Sequence, residues 1–166
     1  MKKIAILMTT LILFSCGSSN EKVEKKETST TQEIPSVNAE KEWEEFTIGA
    51  IGNTMTEMKY DIQNITVNEG SWVRITLVNE GVDAAMIHNI VFVNYGTRKE
   101  VAMQAIDAGP DNKYVPNNSN VIAYSDIASP GETVVLEFKA PQKGNYEFVC
   151  TYPGHSEMMK GYFFVK

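Results

Sequence analysis

Toward its carboxyl end the chain reads Cys150-Thr-Tyr-Pro-Gly-His155-Ser-Glu-Met-Met159-Lys-Gly161, and its other histidine, His88, lies far upstream in Met86-Ile87-His88-Asn89. One thiolate, two imidazoles and one thioether suit a copper ion held in a trigonal His2Cys plane with a weak axial methionine. The spacing C-x4-H-x3-M, with Pro153-Gly154 at the bend, lets a tight turn present Cys150 and His155 to one point. In such a set Cys150 is the electron-rich donor through which an electron enters and leaves. His88 and His155, both neutral, satisfy either oxidation state, and Met159 favours Cu(I) without blocking oxidation. The chemistry implied is the movement of single electrons by one ion cycling Cu(I)/Cu(II). Each residue also has a plainer reading. A lone cysteine is often a small buried hydrophobe, a lone histidine a surface or core residue, and Met158 and Met159 could be packing. It is the joint pattern that points to copper; zinc rarely takes a methionine ligand.

These donors need a scaffold that joins distant stretches. From Phe46 onward the sequence consists of short β-rich runs: Thr47–Ile51, Ile62–Val67, Trp72–Val78, Ile87–Val93, Val121–Tyr124, Thr133–Phe138, Asn145–Cys150 and Gly161–Val165. Turn signals at Asn68-Glu-Gly70, Asn79-Glu-Gly81, Ser129-Pro-Gly131 and Pro141-Gln-Lys-Gly144 separate them. That pattern predicts an all-β sandwich or Greek-key barrel of about eight strands. One short inserted helix is expected near Thr97–Ala108. Thr97-Arg-Lys-Glu100 has the form of a capping box, Val101, Ala102, Ala105 and Ile106 would share a face, and Gly109-Pro110 stops the run.

The amino terminus is of another kind. Residues 1–15 carry Lys2 and Lys3 and then a short apolar run, Ile4 to Phe14, too brief to span a bilayer as a stable helix. The run ends in Leu13-Phe14-Ser15-Cys16-Gly17, which resembles a bacterial lipoprotein signal, with Cys16 as the lipidated terminus after cleavage. Residues 16–45 are polar, charged and poor in large apolar side chains, the composition of a disordered tether, whose root-mean-square reach would be roughly 30 Å. Residues 46–166 then form the single folded domain. With Cys16 lipidated, Cys150 is its one thiol, and no internal disulfide is available even in an oxidising compartment. The full chain has 15 basic and 21 acidic residues; without Lys2 and Lys3 the balance is 13 to 21, a net of −8. Nothing here suggests nucleic acid.

On Cys150-Thr-Tyr-Pro-Gly-His155-Ser, Met159-Lys-Gly161, His88-Asn89 and the stretch Lys113-Tyr-Val-Pro-Asn-Asn-Ser-Asn-Val-Ile-Ala123, residues 46–166 resemble the azurins and auracyanins among the cupredoxins. The resemblance implies an eight-stranded Greek-key β-sandwich with copper at one end and a helical flap outside it. His88, Cys150 and His155 would be the equatorial ligands and Met159 the axial one. Asn89 and Ser156 would tie the two ligand-bearing loops together by hydrogen bonds. His155 would emerge through an apolar docking patch, for which Met86, Tyr152, Pro153 and Met158 are the candidates. The chain departs from azurins at Ile87, where they have a glycine whose carbonyl lies near copper, and in lacking their disulfide. Glu157 stands where a small apolar residue is usual, placing a charge at the docking rim.

The function implied is a type 1 (blue) copper electron carrier, not an enzyme. It would be a monomer, lipid-anchored in the bacterial cell envelope, facing the periplasm or exterior and meeting cytochromes or terminal reductases and oxidases transiently. Copper storage or delivery is the alternative, although delivery proteins expose many Met or His ligands and this chain offers one compact site. A multicopper enzyme would need further histidines, and both are used.

Overall fold

The alternation read in Val73–Val78 reflects a strand with one face in the core: Val73, Ile75, Leu77 and Asn79 are buried while the residues between them are half-buried. This strand belongs to a computed structural model that describes residues 41–166. The signal at 1–15, the lipidation site Cys16 and nearly all of the 16–45 tether lie outside the described residues.

Nine strands, β1 (Trp43–Ile51), β2 (Lys59–Tyr60), β3 (Asn64–Val67), β4 (Trp72–Asn79), β5 (Val91–Asn94), β6 (Val121–Tyr124), β7 (Thr133–Lys139), β8 (Gly144–Val149) and β9 (Lys160–Val165), form two sheets among the described residues. One sheet has the order β2-β1-β4-β7 and the other β3-β9-β8-β5-β6. The β1–β4 and β3–β9 pairs are parallel and the remaining pairs antiparallel. This is the Greek-key sandwich expected from the run of short strands, with a two-residue β2 added. Such a short strand has too little sequence to show a period. Strand β1 begins at Trp43, ahead of Phe46, because Trp43–Ala50 pair in register with Trp72–Asn79.

Ile48, Ile75 and Leu77 face Phe92, Phe148 and Phe163 across the sandwich, all fully buried. Phe92 has ring centroids 4.9 Å from Phe138, 5.0 Å from Phe163 and 5.6 Å from Phe148, in tilted and edge arrangements that suit aromatic quadrupoles. Each such ring contributes about 1.5–3 kcal/mol by burial. The Met159-Lys-Gly161 motif has a packing reason. Gly161 pairs with Phe148 across β8 and β9, and a Cβ there would lie 2.2 Å from Phe148 Cζ and 2.6 Å from the Gln63 carbonyl oxygen.

The helix α1 spans Arg98–Ala108, and Gly109 ends it at φ 70°. Its capping differs from the expectation. The Thr97 hydroxyl donates to the Asn94 carbonyl at 2.8 Å instead of accepting from the helix, and the Glu100 carboxylate is engaged by Gln104 and Asn118. The buried face is Val101 and Ala105, with Ala102 partly covered, whereas Ile106 points outward and is 59% exposed. The expected strand Ile87–Val93 is also shorter in fact. β5 starts at Val91, and His88 precedes it in an isolated bridge to Ala128.

Candidate metal centre

Cys150 follows β8 directly and Met159 directly precedes β9, so the loop between them is pinned at its base by the antiparallel pair. The Cys150 N–H donates to the Met159 carbonyl at 3.0 Å, closing that base. Within the loop, the His155 N–H donates to the Tyr152 carbonyl at 3.0 Å, and Gly154 has φ +88°. Pro153 at the second position and a left-handed glycine at the third make this a type II turn. The Met158 and Met159 N–H groups then donate to the His155 carbonyl, at 3.1 and 2.9 Å. Cys150, His155 and Met159 are thereby set by one continuous run of backbone bonds.

His88 comes from the other side of the same end. Its N–H donates to the Ala128 carbonyl at 3.1 Å and its carbonyl accepts from the Ala128 N–H at 2.7 Å. Behind this bridge, the buried Asn79 side chain donates to the carbonyls of Met86 (2.7 Å) and Ala128 (2.9 Å) and accepts from the Gly81 N–H (2.9 Å). Asn79 reads in the sequence as part of a turn signal; its buried amide in fact clamps the His88 segment.

The three donors converge. The Cys150 Sγ lies 3.9 Å from the Nδ1 of His88 and 3.9 Å from the Nδ1 of His155, and the two Nδ1 atoms are 3.2 Å apart. A metal in a trigonal plane with bonds of about 2.0–2.3 Å would hold its donors roughly 3.5–3.8 Å apart; the two sulfur–nitrogen distances are slightly longer and the nitrogen–nitrogen distance slightly shorter, so small side-chain shifts bring all three onto one ion. His88 and Cys150 are 0% exposed and His155 1%; Met159 is 0% exposed beside them. The Nδ1 is the His88 ring nitrogen that faces the other donors, while its Nε2 is buried with no partner among the described residues. Burial, and then the neighbouring His155, lower the His88 pKa to about 4. Burial lowers that of His155 as well, so both imidazoles are neutral at pH 7, as ligands must be. Burial pushes the Cys150 thiol up to about 11, opposed by hydrogen bonding from the Asn89 and Tyr152 N–H groups and the Tyr60 hydroxyl. Without a metal the thiol keeps its proton; an ion bound here displaces it.

The side chain of Asn89, 0% exposed, joins the two ligand segments: its Oδ1 accepts from the Thr151 N–H at 2.9 Å, and its Nδ2 donates to the Thr151 hydroxyl at 2.9 Å and to the Lys113 carbonyl at 3.0 Å. The partner on the ligand loop is thus Thr151, next to Cys150. Ser156 instead offers its carbonyl to Arg98 at 3.3 Å. Thr151 leaves no separate mark in the sequence beyond its adjacency to Cys150.

The surface around His155 differs from the expected patch. Met86 is 2% exposed, its carbonyl held by Asn79, and belongs to the core. Tyr152 and Pro153 are half-buried and Met158 is 44% exposed. His155 does not emerge; it is 1% exposed, with the Tyr152 ring centroid 4.8 Å away. Met55, 48% exposed, reaches Gly154 beside it. Ile87 is half-buried, its N–H donating to the Ala85 carbonyl at 3.0 Å. The Glu157 carboxylate is solvated and lies 3.8 Å from Lys99 and 3.7 Å from Lys160.

The sequence profile of the copper binding proteins of the plastocyanin/azurin family matches residues 47–166. Auracyanin-A of Chloroflexus aurantiacus is 37% identical over 114 residues, covering 67% of this chain and 69% of the relative. Its solved structure, described as that of a "blue" copper protein, superposes with a TM-score of 0.67 at 34% identity, covering 75% of this chain and 99% of that one. Azurin of Pseudomonas chlororaphis is 31% identical over 112 residues, covering 63% of this chain and 88% of the relative. Outer membrane protein H.8 of Neisseria gonorrhoeae is 28% identical over 109 residues, covering 63% and 60%.

Proposed function

Because the chain belongs to the copper-binding plastocyanin/azurin family, we propose that it is a lipid-anchored blue copper carrier that moves one electron per encounter between redox partners of the bacterial cell envelope. Its cofactor is copper, which when bound supplies the one-electron couple. The observation that carries the reading is the buried convergence of Cys150 Sγ with the two Nδ1 atoms, backed by Met159. Every ligand is fixed by backbone or buried amide bonds, so little needs to move when the charge changes, which suits rapid transfer. A storage or delivery site would favour exposed, easily exchanged ligands, and these four are covered.

The partner side of the reading is chemical. Met158, Met55, Tyr152 and Pro153 offer a small apolar surface over His155, suited to brief contact with a cytochrome or a terminal reductase or oxidase, and the protein acts as a monomer. A weak, small interface lets the carrier leave after each transfer. Envelope localisation is supported by the similarity to outer membrane protein H.8, and the anchor by Leu13-Phe14-Ser15-Cys16.

Two measurements test this. The copper-loaded protein should take up and release one electron reversibly while keeping its metal in the presence of a Cu(I) chelator. Prompt loss of copper on reduction would favour delivery. For the anchor, the full chain should fractionate with membranes and Cys16→Ser should release it; unchanged retention would exclude lipidation.

A further inference from the structure

Tyr60 is a core residue, 1% exposed, with its ring 5.5 Å from that of Phe148. A phenylalanine would fill the same space without a hydroxyl. Burying a phenol is unfavourable unless its oxygen is paired, so the hydroxyl needs a reason. It donates to the Asn89 carbonyl at 2.5 Å. Asn89 directly follows His88, and its side chain holds Thr151, which directly follows Cys150. The same hydroxyl also stands beside the Cys150 sulfur, to which the Asn89 N–H donates. Tyr60 is itself held from behind. It pairs with Ala50 of β1, and the next residue, Asp61, is fixed to Gly49 by its N–H at 3.0 Å and its carboxylate at 2.8 Å.

We propose that Tyr60 is a positioning residue of the copper centre: its hydroxyl anchors the Asn89 main chain, keeping the Asn89 N–H aimed at the Cys150 sulfur and the His88 and Cys150 segments in register. This rests on the copper reading above and adds a residue to it. Hydrogen bonding around the cysteine sulfur tunes the potential of such sites. Losing the anchor weakens donation to the sulfur, leaves it more electron-rich and lowers the potential. Residues that orient ligands in this way typically change metal affinity by 10–100-fold.

The test is Tyr60→Phe in the full-length, copper-loaded protein. The expected result is a lowered reduction potential, a shifted charge-transfer band and release of copper to a Cu(I) chelator about tenfold faster than wild type. A variant that melts at a lower temperature yet keeps the wild-type potential, band and release rate would reduce Tyr60 to core filling and overturn the inference; so would a raised potential. If the variant does not fold, the diamagnetic Cu(I) form of the wild type decides: a slowly exchanging Tyr60 hydroxyl proton is expected in its NMR spectrum, and its absence overturns the proposal. A wild-type protein that binds copper without colour would instead reject the blue copper reading itself.

Discussion

Cys150→Ser is expected to abolish the intense visible absorption of the copper-loaded protein completely while leaving the domain folded. The colour of a copper–thiolate site comes from charge transfer out of sulfur, and a serine oxygen is a harder donor with no such transition in the visible. The substitution is small in volume, and the new hydroxyl would inherit the donors that now face the sulfur, among them the Asn89 and Tyr152 N–H groups. Cys150 is 0% exposed within the core cluster, so the fold should be checked by circular dichroism and thermal melting beside the wild type. Copper retention should fall steeply too, since the two imidazoles and Met159 remain without the charged ligand. Absorption spectra and metal analysis of both proteins suffice. A Cys150→Ser protein that keeps the band would place the chromophore elsewhere, and a wild type that is copper-replete but colourless would reject the site.

How much of this was readable before the structure depends on the kind of signal. Cys150, His155 and Met159 lie in one short loop, where spacing alone implies convergence, and Pro153-Gly154 encodes the turn that produces it. Strand β4 was legible because a half-buried strand writes its period into the side chains. His88 is marked in the sequence only as the remaining histidine, and its setting is not legible there. A run of apolar residues from Ile87 suggested strand, whereas only a bridge to Ala128 holds it. Tertiary partners explain the misses. Asn79 clamps Ala128 and Thr151 receives Asn89 through contacts between residues far apart in the chain, and no local pattern records them. Met86 looked like surface because it adjoins a ligand segment, yet it is drawn inward under Asn79. The Thr97-x-x-Glu100 pattern was present without its bonds, since the Asn94 carbonyl offered the threonine hydroxyl a nearer acceptor.

The metal-free domain should be most stable between about pH 6.5 and 9 and lose about 3 kcal/mol on each flank. The acid flank comes from His88, whose pKa falls from 6.5 to about 4 on folding because burial disfavours its charge. Between those values the unfolded chain binds more protons than the folded one, so stability drops as pH falls; His155 acts in the same direction. The alkaline flank comes from Cys150, whose pKa rises from 9.0 to about 11 by burial. There the folded state holds the proton that the unfolded chain has released, so stability drops as pH rises. Urea midpoints of the metal-free protein across pH 4–11 measure both flanks. Cys150→Ser separates them, because it should remove the fall that begins near pH 9 and leave the acid flank; above pH 10 buried Tyr60, whose pKa is also raised, adds a fall of its own. Copper should flatten the alkaline side in the wild type, since a bound ion requires the ionised sulfur and stabilises only the folded form. A metal-free profile that is flat from pH 6.5 down to 4, or a Cys150→Ser profile that still falls between pH 9 and 10, would mean that these side chains are not buried facing one another as described.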